Sequence, residues 1–139
     1  MKIYLLSLMI LLSFSAQAQS TDVESIEFKS LSRVYFEHVT ITADSLIFRL
    51  KENHKNEEVI NKRAISKKEW KSILKDINSL SLESIPNLES PTMKRSFDGA
   101  RHSSLKIITT DTSYEHLFDD ENPHKMLIPL LECIKRMTK

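Results

Sequence analysis

Ile65-Ser66-Lys67-Lys68-Glu69-Trp70-Lys71-Ser72-Ile73-Leu74-Lys75-Asp76-Ile77-Asn78-Ser79-Leu80 is the most fully specified stretch of the chain. Ser66 and Glu69 have the spacing of a capping box, in which each side chain satisfies the other residue's backbone N–H. Ile65 outside the cap and Trp70 inside it are placed for a hydrophobic staple. Ile73, Leu74, Ile77 and Leu80 continue the i, i+3, i+4, i+7 spacing of one buried face. The spacing predicts an amphipathic helix anchored by the only tryptophan in the chain. Lys67, Lys68, Lys71 and Lys75 fall on one flank of it, and Glu69 and Asp76 on the other.

Upstream of this helix the pattern changes to period two. Val34-Tyr35-Phe36 and Val39-Thr40-Ile41-Thr42 are β-branched and aromatic, which suits a pleated surface. Leu46, Phe48 and Leu50 alternate with Ile47, Arg49 and Lys51. Folding about Ala43-Asp44 sets Ile41 opposite Leu46 and Val39 opposite Phe48, with the apolar residues on one face. Val59–Ile65 is a weaker strand that leads into the helix. Residues 19–32, with Asp22, Glu24 and Glu27, read as a flexible lead-in, so the folded domain is expected over 33–139.

Downstream, Ser79–Ser96 is a long connection punctuated by Pro86 and Pro91. Asp98-Gly99 holds the only glycine and signals a turn with positive φ at the glycine. Leu105–Thr110 and Ser113–Phe118 form a second hairpin about Asp111-Thr112, expected to pair Leu105 with Phe118, Ile107 with His116 and Thr109 with Tyr114. Leu127, Leu130, Leu131 and Ile134 define a second helical stripe. Pro129 lacks an N–H and would crowd the carbonyl four residues before it, so this helix starts late, near Leu127–Pro129. The whole reads as α+β: an antiparallel sheet of four to five strands with two helices on one face, in the order ββ(β)αββα.

Residues 1–18 read as a secretory signal: Lys2, an apolar run over Ile3–Phe14, and Ala16-Gln17-Ala18 before the cut. The run is shorter than the roughly 20 residues of a spanning helix, so no membrane insertion is expected after cleavage, and the location is periplasmic or secreted. Cleavage removes Lys2, one of the 20 basic residues, and leaves basic and acidic side chains in balance. A neutral chain has no general attraction to nucleic acid or to an anionic membrane. Basic and aromatic residues do not interleave on one face, which also speaks against single-stranded nucleic acid. Cys133, the only cysteine, can form no intramolecular disulfide and reads as a small buried apolar residue.

A single glycine excludes the usual phosphate-cradling loop, and there is no Gly-x-Ser-x-Gly elbow, no His-Glu-x-x-His and no paired Cys-x-x-Cys. Two readings of function remain. In the first, the chain is a non-enzymatic protein-binding or inhibitory module of the immunity type, needing no cofactor. Its partner is an envelope or secreted protein, and the binding residues are Lys67, Lys68, Lys71 and Lys75. The plain structural reading of those lysines is a solvated helix face. In the second, residues 98–124 form the site of a small metal-dependent hydrolase, with His102, His116, Asp119 and His124 as ligands. The plain reading of that region is turn chemistry and an acidic run before a helix.

The stretches Trp70…Leu74…Ile77, Pro91-Thr92, Asp98-Gly99-Ala100, Tyr114…Phe118-Asp119 and Pro123…Leu127…Leu130 resemble small exported bacterial proteins of unknown function. The resemblance covers the C-terminal half and implies no particular activity.

Overall fold

The computed structural model describes residues 22–53, 55 and 57–139. The signal sequence expected over 1–18 lies outside the described residues. The elements are β1 (Val23–Leu31), β2 (Tyr35–Thr42), β3 (Ser45–Glu52), β4 (Val59–Ala64), α1 (Lys67–Asn78), β5 (His102–Thr109), β6 (Ser113–Asp119) and α2 (Ile128–Met137). Short 3₁₀ segments occupy Leu82–Asn87, Lys94–Phe97 and Lys125–Leu127. The strands form one antiparallel sheet in the order β4-β3-β2-β1-β5-β6.

The class is therefore α+β, with six strands rather than four to five. The missing strand is β1, which occupies much of the expected lead-in over 19–32. It is the central element, paired with β2 on one side and β5 on the other. Ile26 and Phe28 point into the core and alternate with Ser25, Glu27 and Lys29 on the outer face. Only those two apolar residues carry the alternation, because the next core-facing position is Ser30. Its hydroxyl is satisfied by Ser103 Oγ at 2.8 Å, so the polar residue is tolerated where a strand pattern calls for an apolar one.

One sheet face supplies Ile26, Phe28, Val39, Ile41, Leu46, Leu105, Ile107 and Phe118 to the core. Ile73 and Ile77 of α1, and Leu130, Leu131, Cys133 and Ile134 of α2, join the same cluster. Phe28 and Phe118 stack with ring centroids 6.3 Å apart. Trp70 is half-buried against this cluster and Ile65 is buried beside it, as the staple requires.

The capping box is complete. Ser66 Oγ accepts the Glu69 N–H at 3.2 Å, and Glu69 Oε2 accepts the Ser66 N–H at 2.7 Å. The Ser66 N–H, Arg63 and the Ser66 hydroxyl (2.9 Å), all donating to its carboxylate, hold Glu69 at about 2. Ser66→Ala is expected to cost about 1 kcal/mol of unfolding free energy, measured by urea titration at neutral pH. The depressed carboxyl fixes the sign of the pH effect. The difference between native and variant should be full above about pH 4.5 and shrink as pH falls towards 2.

The first hairpin has the register read from sequence, Ile41↔Leu46 and Val39↔Phe48. The second does not: Leu105 pairs with His116 and Ile107 with Tyr114, while Phe118 lies opposite Ser103. The turn is centred on Thr110-Asp111. Thr109 fixes it, its N–H and hydroxyl both donating to Thr112 O, at 2.8 and 2.9 Å. A shift of two residues keeps every side chain on its expected face, so core membership survives the wrong partners. In the last helix, Pro129 occupies the first turn, where its missing N–H is harmless. The positive φ near Asp98-Gly99 belongs to Asp98 at 56°, not to Gly99. Gly99 instead sits in a tight turn: a Cβ there would lie 3.2 Å from the Lys94 carbonyl oxygen, which accepts the Gly99 N–H at 2.9 Å to close the turn.

Candidate functional site

The β1–β2 turn and the segment entering β5 meet at one end of the sheet, because β1 is flanked by both β2 and β5. Between them lies an open groove of about 500 Å³. Leu31, Ser32, Arg33 and Val34 line one side, and Asp98, Ala100 and His102 the other. The turn is closed by the Ser32 N–H donating to Tyr35 O at 2.8 Å and the Val34 N–H donating to Ser32 Oγ at 3.3 Å. Arg33 reaches across to Asp98 at 3.3 Å. Both groups are largely exposed, so this pair adds little stability and leaves both charges available to a ligand.

The rim is apolar where it faces water. Leu31 and Val34 are about half exposed, and Phe97, next in the chain to Asp98, is 83% exposed. A phenyl ring left in water forgoes about 2–3 kcal/mol of burial. Exposed apolar groups gathered around a concave surface mark contact sites more often than scattered ones do.

On the opposite, core-facing side of the same sheet end lies a buried polar network. Glu37 is only 2% exposed. It accepts the Tyr35 hydroxyl at 2.7 Å and is paired with Lys135 Nζ of α2 at 2.8 Å. Lys135 also meets Glu121 at 2.8 Å and lies over the Phe28 ring. Arg101 stacks on the Tyr35 ring at 4.4 Å and faces Asp120 and Glu121 at 3.6 and 3.7 Å. Burial, then the Glu37 carboxylate, pushes the Tyr35 phenol above its ordinary range. Burial disfavours the Lys135 ammonium, but hydrogen bonds to Glu121 and Glu37 outweigh it and raise the group. Each charge in this network meets an opposite one, so the network ties α2 to the sheet.

Asp119 performs the same service for the long connection. It is 2% exposed, and its carboxylate accepts the Thr92 hydroxyl, the Lys94 N–H at 2.7 Å and Arg95 Nη1 at 2.7 Å. These bonds fix the 3₁₀ segment that presents Phe97.

The structure does not bring the expected metal ligands together. His102 lies on the outer face of β5 and lines the groove, whereas His116 lies on the core face of β6 and is 2% exposed. His116 Nε2 accepts the His124 N–H at 3.1 Å, and His124 Nδ1 accepts the Met126 N–H at 3.3 Å. Burial, with His124 and Arg95 nearby, lowers the His116 imidazole below its ordinary value. Asp119 is committed to Thr92, Lys94 and Arg95. Strand alternation decides this: His102 and His116 sit on opposite faces of neighbouring strands. Among the described residues, no group of three or more His, Cys, Asp or Glu side chains is placed to hold a metal ion.

Lys67, Lys68, Lys71 and Lys75 are all exposed on α1, and none makes an ion pair among the described residues. Sequence reasoning missed the groove residues Leu31, Ser32, Arg33, Val34 and Ala100, and Phe97 beside them in the chain. Only Phe97 carries a local signal, an isolated aromatic in a polar loop with no periodic apolar partner.

No family model, no curated protein and no solved structure matches the chain. No described helix is long and apolar enough to cross a membrane.

Proposed function

We propose that this is an exported, non-enzymatic protein-binding or inhibitory module. It acts in the periplasm or outside the cell, and it docks its partner on the groove between the β1–β2 turn and the segment entering β5. The observation that carries the reading is Phe97, a nearly fully exposed aromatic on a segment held rigid by the buried Asp119–Arg95 pair. A rigid aromatic anchor loses little entropy when it binds, and such residues dominate interface energetics. Arg33 and Asp98 supply one charge of each sign at the rim, which suits a polar protein edge better than a uniformly charged ligand. Lys67, Lys68, Lys71 and Lys75 enter the proposal as a steering surface for an acidic partner. Exposed cations of this kind raise the association rate more than the affinity.

Phe97→Asp is the test. A partner captured from the cell envelope by the native protein should bind the variant at least about ten-fold more weakly, with an unchanged melting temperature. Equal binding by the variant would remove the groove from the proposal. Turnover of a substrate by the purified protein would remove the non-enzymatic reading.

A further inference from the structure

The two edges of the sheet differ. The 3₁₀ segments Leu82–Asn87 and Lys94–Phe97 pack against β6. In β4 every residue except Arg63 is exposed, with Val59 at 49% and Ile60 at 61%. Of the devices that blunt an edge, β4 has no proline and no bulge, but it carries Lys62 and one inward charge. Its one inward charge, Arg63, is occupied by Glu69 at 2.9 Å and by Met137 O at 3.1 Å.

The hydrogen-bonding direction of this edge follows from one contact. The Ile65 N–H donates to Asp44 O at 3.2 Å, one step beyond the last β3–β4 pair, Ser45↔Ala64. Backbone groups alternate sides along an antiparallel strand. Val59, Asn61 and Arg63 therefore bond to β3, and Ile60, Lys62 and Ala64 turn their N–H and C=O groups to the open edge.

We propose that β4 pairs antiparallel with β4 of a second copy of this chain, about a two-fold axis at Ile60, to make one continuous twelve-stranded sheet. Charge selects both the occupant and the register. Centred on Ile60, the two isoleucines face each other, and each Glu58 lies opposite the Lys62 of the second copy. Lys62 makes no ion pair among the described residues, and Arg49 bonds only Oε1 of Glu58, at 2.8 Å. A register centred on Lys62 would set two lysines face to face, which is repulsive. One centred on Asn61 would set Ile60 against Lys62 and Val59 against Arg63, pairing no opposite charges. The strand thus carries its own complement, as an isologous interface requires. A single strand pair is at the small end of specific interfaces, so the dimer forms and dissociates with concentration.

Sedimentation of the purified protein from about 10 μM to about 1 mM, the range in which weak strand-edge dimers dissociate, should show monomer passing to dimer. Ile60→Pro removes an outward N–H without touching the β3–β4 ladder, and should abolish the dimer while the far-UV circular dichroism stays unchanged. Lys62→Glu sets like charges opposite each other twice and should weaken the dimer by about ten-fold. The double variant Glu58→Lys/Lys62→Glu should restore it. In an oxidising buffer, Ile60→Cys should cross-link the dimer, because directly opposed, hydrogen-bonded Cα atoms lie about 5.5 Å apart; Lys62→Cys should not. A monomer at every concentration, a dimer indifferent to Ile60→Pro or Lys62→Glu, or cross-linking at 62 in preference to 60 would each overturn the proposal.

Discussion

Replacing Asp119 by alanine is expected to lower the unfolding free energy by about 3–5 kcal/mol, the usual consequence of removing one partner from a buried ion pair. The cause is what stays behind. Arg95 is 14% exposed at its side chain and would lose the one carboxylate it meets among the described residues. The Thr92 hydroxyl and the Lys94 N–H would lose their acceptor as well. Asp119→Asn should cost less than alanine, since an amide oxygen can still accept two of these bonds. Denaturant titration of both variants checks the order. The effect has a defined pH dependence. Burial raises the Asp119 carboxyl, but the Thr92 hydroxyl, the Arg95 guanidinium and the two backbone N–H groups outweigh it and hold the group at about 2. Because the folded value is depressed, the stabilisation is full above about pH 4 and is lost as pH falls towards 2. A native-minus-variant difference that stayed constant from pH 5 to pH 2 would refute this account of Asp119. The same bonds hold Phe97 in place, so Asp119→Ala should also weaken partner binding by loosening the segment that carries the ring.

The second large effect concerns β1. Phe28→Ala is expected to destabilise the fold by about 3–5 kcal/mol, the range for a buried aromatic truncated in a core that cannot fully collapse. Phe28 is fully buried, stacks on Phe118 and carries Lys135 over its ring. Its strand is bonded along both edges, so deletion of residues 22–31 should leave a chain that does not fold: β2 and β5 would each lose their neighbour, and the sheet would be cut in two. Thermal unfolding of Phe28→Ala, and circular dichroism of the deletion, test this directly. A deletion variant that melted cooperatively near the native temperature would show residues 22–31 to be dispensable, as a lead-in would be.

These two residues also show how unevenly the structure was written in the sequence. The start and buried face of α1 were legible because their determinants, the Ser66–Glu69 box, the Ile65–Trp70 staple and the Ile73–Ile77 stripe, all lie within one short segment, although the helix ends at Asn78, before the Leu80 expected on its stripe. The β2–β3 hairpin was legible for the same reason, since its loop is short and the apolar alternation fixes the register. In the β5–β6 hairpin the alternation fixed the faces but not the partners. The Thr109 hydroxyl chose between two registers that bury the same side chains. β1 was misread because its role depends on strands that follow it, and its own core contribution is two residues and a serine.

The sequence by itself determined the class of fold, the two amphipathic helices, the late start of the second, and most of the core, because each of these is set by side chains a few positions apart. Only the tertiary structure decided that β1 stands at the centre, that His102 and His116 look in opposite directions, and that Arg33 meets Asp98 across 65 residues of chain to frame a groove. The physical reason is range. Capping, periodicity and turn chemistry act between near neighbours, whereas strand order is chosen by the total burial available to the whole sheet, a quantity that no single stretch of sequence contains.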